Sequence, residues 1–172
     1  MSRTQKIIAE AEKYIGVIER PGNKGFFNTT FEKLMRLIGF YTGAPWCAFF
    51  TKMIYAAVYA DNKALKAAIN SCNTGGALDT LHRHENNGTF SVGEEPKPGA
   101  IAVWRHGKGT TGHHGIVKSV DVKNNTMVTI EGNTNATGSR EGDRVAVKLR
   151  TITRDFRDDG LNLEGYIYPV ED

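Results

Sequence analysis

Apolar residues recur at helical spacing through the first half of the chain and gather into short runs in the second. Ile7, Ile8, Ala11 and Ile15 share one face of a segment that Thr4 is placed to cap and Gly16 to stop. Phe31, Leu34, Met35 and Ile38 repeat the pattern and predict a helix over about 30–38, ended by Gly39. The break Gly43-Ala44-Pro45 introduces a third helix over about 45–59. Proline suits its first turn, where an amide has no helical acceptor. Shorter helices are predicted over 63–69 and 78–84. From Pro96 the pattern changes to strands, over about 100–104, 116–122, 127–130, 144–153 and 163–170. Lys123-Asn124-Asn125 supplies a hairpin turn, and 132–143 reads as a long polar loop. Helices followed by consecutive strands predict an α+β fold, with N-terminal helices packed on an antiparallel sheet of about five or six strands.

Composition narrows this picture. A length of 172 residues, 40% apolar and 24% charged, suits one soluble domain over 1–172 and excludes collagen-like, disordered and membrane classes. No apolar run approaches the ~18 residues of a spanning helix. The net charge of +3 is too small to point to nucleic acid. Two cysteines, Cys47 and Cys72, cannot build a disulfide framework and fit a reducing compartment of origin. The start, MSRTQKIIAEAEKYIG, has no uninterrupted apolar core of a Sec signal. Work outside the producing cytoplasm would therefore use another export route.

Two motif matches carry little. Gly107-Lys108-Gly109-Thr110-Thr111-Gly112 fits G-x-G-x-x-G, but a strand follows it where a pyrophosphate site needs a helix N-terminus. His82 and His84 lie two apart, on different faces of a helix, and read as a solvated helix end rather than a zinc site. The segment from Pro96 to Val120 holds Lys97, Arg105, Lys108 and Lys118 with no acidic residue. It is either a solvated hairpin or a patch that attracts an anionic substrate and supports a thiolate.

Three segments concentrate the chemistry: Ala44-Pro45-Trp46-Cys47-Ala48-Phe49-Phe50, Gly112-His113-His114-Gly115-Ile116-Val117 and Ile130-Glu131-Gly132-Asn133. Cys47 falls in the first turn of the third helix, where free amides and the helix dipole favour an anion. It shares a face with Phe50, Ile54 and Val58, which points the sulfur toward whatever packs on the helix, here the strands bearing the histidines. The same placement also suits a small buried hydrophobe. Cys72, in the loop-like run Asn70-Ser71-Cys72-Asn73, reads as a bystander. A histidine that works with a thiol needs an acceptor on its other nitrogen. Glu131 and Asn133 share strand parity and end the next strand, about 4.8 Å away from its neighbour.

This order resembles the CHAP domains, the cysteine, histidine-dependent amidohydrolase/peptidases, which are related to NlpC-type peptidases and the papain-like fold. The elements that carry it are a cysteine on a helix, Pro98-Gly99 opening a strand, Gly112-His113-His114-Gly115-Ile116-Val117, then Glu131-Gly132-Asn133. The leading Ile15-Gly16-Val17-Ile18-Glu19-Arg20-Pro21-Gly22 is similar to a segment of some phage-type members. The resemblance implies Cys47 as nucleophile, His113 as general base, Glu131 as its orienting residue and Asn133 as an accompanying polar residue. His114 stands where the family usually has an apolar residue, and Ala100 where many members have aspartate. Trp46, Trp104 and Tyr41 are candidates for lining the cleft, or else packing residues. The implied activity is cleavage of a peptidoglycan amide bond, either the muramoyl-L-alanine amide or a stem or cross-bridge peptide bond. It requires no cofactor or metal. The implied partners are bacterial peptidoglycan and, for an antibacterial effector rather than a phage endolysin, an immunity protein. Nucleic acid and membrane are not expected partners, and a monomer is expected. Action on the wall would follow holin-type release or dedicated secretion. The alternative is a non-catalytic wall-binding module that retains the fold.

Overall fold

The protein is described by a computed structural model, which covers residues 1–134 and 142–172. Among the described residues five helices come first: α1 (Arg3–Glu12), α2 (Thr29–Leu37), α3 (Cys47–Val58), α4 (Lys63–Cys72) and α5 (Ala77–Asn87). Six strands follow: β1 (Val92–Gly93), β2 (Ile101–His106), β3 (Gly112–Asp121), β4 (Thr126–Thr134), β5 (Arg144–Thr151) and β6 (Leu161–Ile167). They form one sheet in the order β1-β6-β2-β3-β4-β5, every neighbouring pair antiparallel. The α+β arrangement expected from the sequence is the one observed.

Strand alternation divides the core. Ile101, Val103, Ile116, Ile130, Val145 and Ile167 face the helices, where they meet Ile7, Phe31, Phe50 and Ile54. Ala100, Ala102, Trp104, Val117, Met127 and Tyr166 gather in a second cluster with Ile152. The helix α3 packs on β3 and β4, which sets its N-terminal end beside the start of one strand and the end of the other. Gly132 makes this approach possible. A Cβ there would come within 2.7 Å of both Phe50 Cβ and the Trp46 ring.

Several local expectations shift. Ser2, not Thr4, caps α1, by a reciprocal box with Gln5. Ile15 lies beyond the helix and is exposed. Asn28 caps α2. Pro45 precedes α3, whose flanking residue is Trp46. Cys72 is not in a loop: it is the last residue of α4, buried, with its sulfur 3.8 Å from Arg83 O. His84 is no solvated helix end either. It is buried, with Nε2 2.7 Å from Asn73 Oδ1 and its ring edge-on to Phe90. Strand β4 runs on through Glu131 and Asn133 into what reads as loop, and residues 135–141 of that loop lie outside the described residues. The G-x-G-x-x-G stretch connects β2 to β3, so no helix follows it.

Candidate active site

Cys47 is the first residue of α3, and no side chain caps that end of the helix. The amides of the first turn are therefore not consumed by a capping group. His113 and the backbone N–H groups of His114 and Ala48 act on the sulfur, each favouring its ionised form. Its helix face behaves as the spacing predicts: Phe50 and Ile54 are fully buried toward the sheet.

His113 and His114 are neighbours on β3, so their side chains leave opposite faces. His114 turns under the helices, with Nε2 3.0 Å from Ala77 O and Nδ1 3.0 Å from the Thr51 hydroxyl. A carbonyl can only accept, so Nε2 carries the proton; the one Thr51 hydroxyl proton is shared between Nδ1 and Ala48 O, each 3.0 Å away. Burial, aided by the charges of His113 and His84, pushes its pKa down to about 3. His113 instead places Nε2 2.8 Å from Glu131 Oε2, which leaves the other ring nitrogen to Cys47. The geometry thus separates the two histidines.

Glu131 is fully buried and fully satisfied. Besides His113, it accepts from Arg150 Nε at 2.7 Å, Arg150 Nη2 at 2.5 Å and the Thr129 hydroxyl at 2.6 Å. Gly115 makes room for it, since a Cβ there would lie 2.8 Å from Glu131 Cγ. The guanidinium of Arg150 also lies over the Trp104 ring, 5.4 Å from its centroid, and Trp104 in turn lies 5.9 Å from the His113 ring. The result is a continuous line Arg150–Glu131–His113–Cys47.

Charge follows from these contacts. Burial opposes a charge on His113, but the carboxylate of Glu131 and the sulfur of Cys47 outweigh it and push the pKa up to about 9. Burial likewise opposes ionisation of Cys47. The His113 hydrogen bond and charge, with the two backbone amides, overcome it and pull the thiol below its ordinary value. Burial opposes ionisation of Glu131 as well, and Arg150 and His113 hold it well below the usual carboxylate range. The two shifts, the thiol down and the imidazole up, both favour the thiolate–imidazolium form of the pair over the neutral one.

The pair opens into a cleft of about 1470 Å³, lined by Glu19, Asn23 and Pro45 on one side and by Arg150, Arg154 and Arg157 among others. Asn133 also lines it, but makes no hydrogen bond to His113. The expected shared parity with Glu131 fails because the strand is irregular there and Asn133 has a left-handed φ of 53°. Trp46 does not line the cleft: it is fully buried, edge-on to Phe26 at 4.8 Å. Tyr41 is exposed against Phe49, outside the cleft-lining residues. Trp104 is nearly buried and walls a side cavity of about 350 Å³ that shares Arg150 with the cleft.

The CHAP domain family model matches residues 39–133, more than half of the chain and the whole stretch from Cys47 to Asn133. This chain belongs to the CHAP family. That family comprises peptidoglycan amidases and peptidases. Among solved structures, one described as the crystal structure of Ly7917 aligns with a TM-score of 0.56 at 16% identity, over 96% of this chain and 62% of that one. The likeness is one of fold, and this CHAP chain spans less than two thirds of that protein. No curated protein matches it.

Two cleft residues escaped the sequence reading. Arg150 lies beyond the matched span, and its pairing with Glu131 depends on the β4–β5 register. Glu19 stood only inside a resemblance. It is buried, faces the indole N–H of Trp46, and accepts from the Asn23 amide at 2.6 Å when that amide is turned to pair with it. Burial raises its pKa, opposed by Trp46 and reinforced by Asp143.

Proposed function

We propose that this CHAP chain hydrolyses an amide bond of bacterial peptidoglycan with Cys47 as nucleophile. The observation that carries the reading is the buried line from Glu131 through His113 to a sulfur at an uncapped helix start, open to a cleft. The thiolate attacks the scissile carbonyl carbon, and the resulting oxyanion meets the Cys47 amide at the start of α3. The His113 imidazolium gives its proton to the departing amine as the C–N bond breaks, leaving a thioester. Neutral His113 then takes a proton from water as that water attacks the thioester, and the carboxylate product leaves with the thiolate restored. Glu131 keeps the ring in register and stabilises its charged form throughout.

The bond is an amide in either case, the muramoyl-L-alanine linkage or a peptide bond of the stem or cross-bridge. The setting that goes with the reading is the wall outside the producing cytoplasm, reached as a phage endolysin or as a secreted antibacterial effector. Mass spectrometry of muropeptides released from purified walls of several chemotypes tests activity and bond together. One new amine and one new carboxyl terminus at a single type of amide are expected. Cys47→Ala is expected to release nothing while keeping its circular dichroism spectrum. Wall clearance by Cys47→Ala at the wild-type rate would sink the mechanism.

A further inference from the structure

The cationic residues between Pro96 and Val120 are already paired. Arg105 meets Glu164 at 2.8 Å, Lys108 meets Asp158 at 3.2 Å, and Lys118 meets Glu12 at 2.8 Å. The Lys97 ammonium lies over the Tyr168 ring. That hairpin is not a patch waiting for an anion.

Unpaired positive charge sits instead on the segment from β5 to β6. Arg150, Arg154 and Arg157 all line the cleft that holds Cys47. Arg150 is taken by Glu131. Arg154 donates to Leu161 O, and neither it nor Arg157 forms an ion pair among the described residues. Burial and the positive charges of Arg157 and Arg150 all act to lower the Arg154 pKa, with no carboxylate offsetting them. Of the nearby acids on this wall, Asp158 is held by Lys108, and Asp159 is exposed with no ion pair to either arginine. The backbone beneath is fixed. Asn162 accepts from the Arg157 N–H at 2.8 Å and donates to the Arg157 carbonyl at 2.8 Å. Beside them, the cavity walled by Trp104, Phe156 and Leu163 opens next to Arg154.

We propose that Arg154 and Arg157 form a subsite for a free carboxylate of the peptide substrate. The inference rests on the hydrolase reading above and adds a specificity to it. Guanidinium groups match carboxylates in a two-pronged geometry that an amide cannot reproduce. A subsite on the wall of the catalytic cleft selects the cleaved peptide itself, whereas a polyanionic wall polymer needs an open surface.

Binding is measured by calorimetry on the Cys47→Ala protein, with Cys47→Ser as a second inactive form should alanine disturb the fold. The probes are an N-acetylmuramoyl pentapeptide with free carboxylates and its fully amidated counterpart. The acid form is expected to bind about tenfold more tightly. The difference is expected to vanish in the added double variant Arg154→Gln/Arg157→Gln. Equal affinity for the two probes, binding of neither, or a preference that survives the double variant overturns the subsite. So does a poly(glycerol phosphate) chain that binds these arginines in place of the peptide. Wild-type hydrolysis of walls is scored in parallel. Cleavage without discrimination removes the subsite and leaves the hydrolase reading standing, while absence of any cleavage removes that reading itself.

Discussion

A single step along β3 separates two histidines with opposite electrostatics. His114, turned under the helices, is neutral with a pKa near 3, whereas His113, facing Glu131 and Cys47, is held charged with a pKa near 9. Side-chain alternation alone produces this split, because it decides which ring meets a carboxylate. Hydrolysis needs the imidazolium, so its rate is expected to fall as pH rises through about 9, where His113 loses its proton. Glu131→Gln removes the charge that stabilises the imidazolium and is expected to move that alkaline limb to lower pH. A pH–rate profile on a soluble muropeptide checks this, and an unmoved limb argues against Glu131 as the orienting group. On the acid side, Cys47 is expected to react with iodoacetamide at pH values well below the ordinary thiol pKa of about 8.5. Cys72, buried at the end of α4, is expected to label slowly. Peptide mapping of the alkylated protein reads both sites in one experiment.

At the scale of elements, the helices were legible because their apolar stripes and stop glycines act over a few residues. Their caps were less so. Ser2 and Thr4 are equally able N-caps in composition, and only the reciprocal contact with Gln5 distinguishes them. The strands were legible as apolar runs, but their ends were not. Strand β4 outruns its apolar stretch because Glu131, buried and paired, behaves as a core residue. The motif glycines gain a physical meaning here: Gly115 clears space for Glu131, and Gly132 lets α3 rest on β4. Gly132→Ala is expected to destabilise the fold by about 1–3 kcal/mol, since the new methyl meets Phe50 Cβ and the Trp46 ring. Gly115→Ala is expected to lower kcat more than stability, because the atom it displaces belongs to Glu131. Urea denaturation and steady-state kinetics on the two variants test that contrast. Equal losses of stability and rate in both would contradict it.

For the molecule as a whole, two buried neutral histidines sit at junctions between elements: His114 ties β3 to α3 and α5, and His84 ties α5 to the end of α4. His84 has its pKa pushed down to about 4 by burial, and His114 to about 3. Their folded pKa values lie below the unfolded value of about 6.5. The stability they contribute is therefore fully present above pH 6.5 and is lost as pH falls through 6.5 toward 3. The urea midpoint is expected to decline over that range. His84→Gln keeps a donor for Asn73 without a titrating ring and is expected to show a shallower decline between pH 6.5 and 4. An identical slope in the variant would assign the acid sensitivity elsewhere.

Local pattern in the amino-acid order determined the helix-then-strand architecture, the cysteine at a helix start and the segments that bring histidine and glutamate near it. Periodicity, turn residues and the backbone's directional amides act within a few positions, so they can be read from the chain. The resemblance already pointed to His113 over His114; tertiary structure alone decided that Asn133 leaves the histidine to Glu131, and that Trp46 lies in the core. It also decided that the carboxylate is anchored from β5 by Arg150, and that the free arginines face the cleft from the segment beyond it. Each of these depends on which face a side chain leaves and which residue of a distant strand lies opposite. That register is set by the packing of the sheet as a unit.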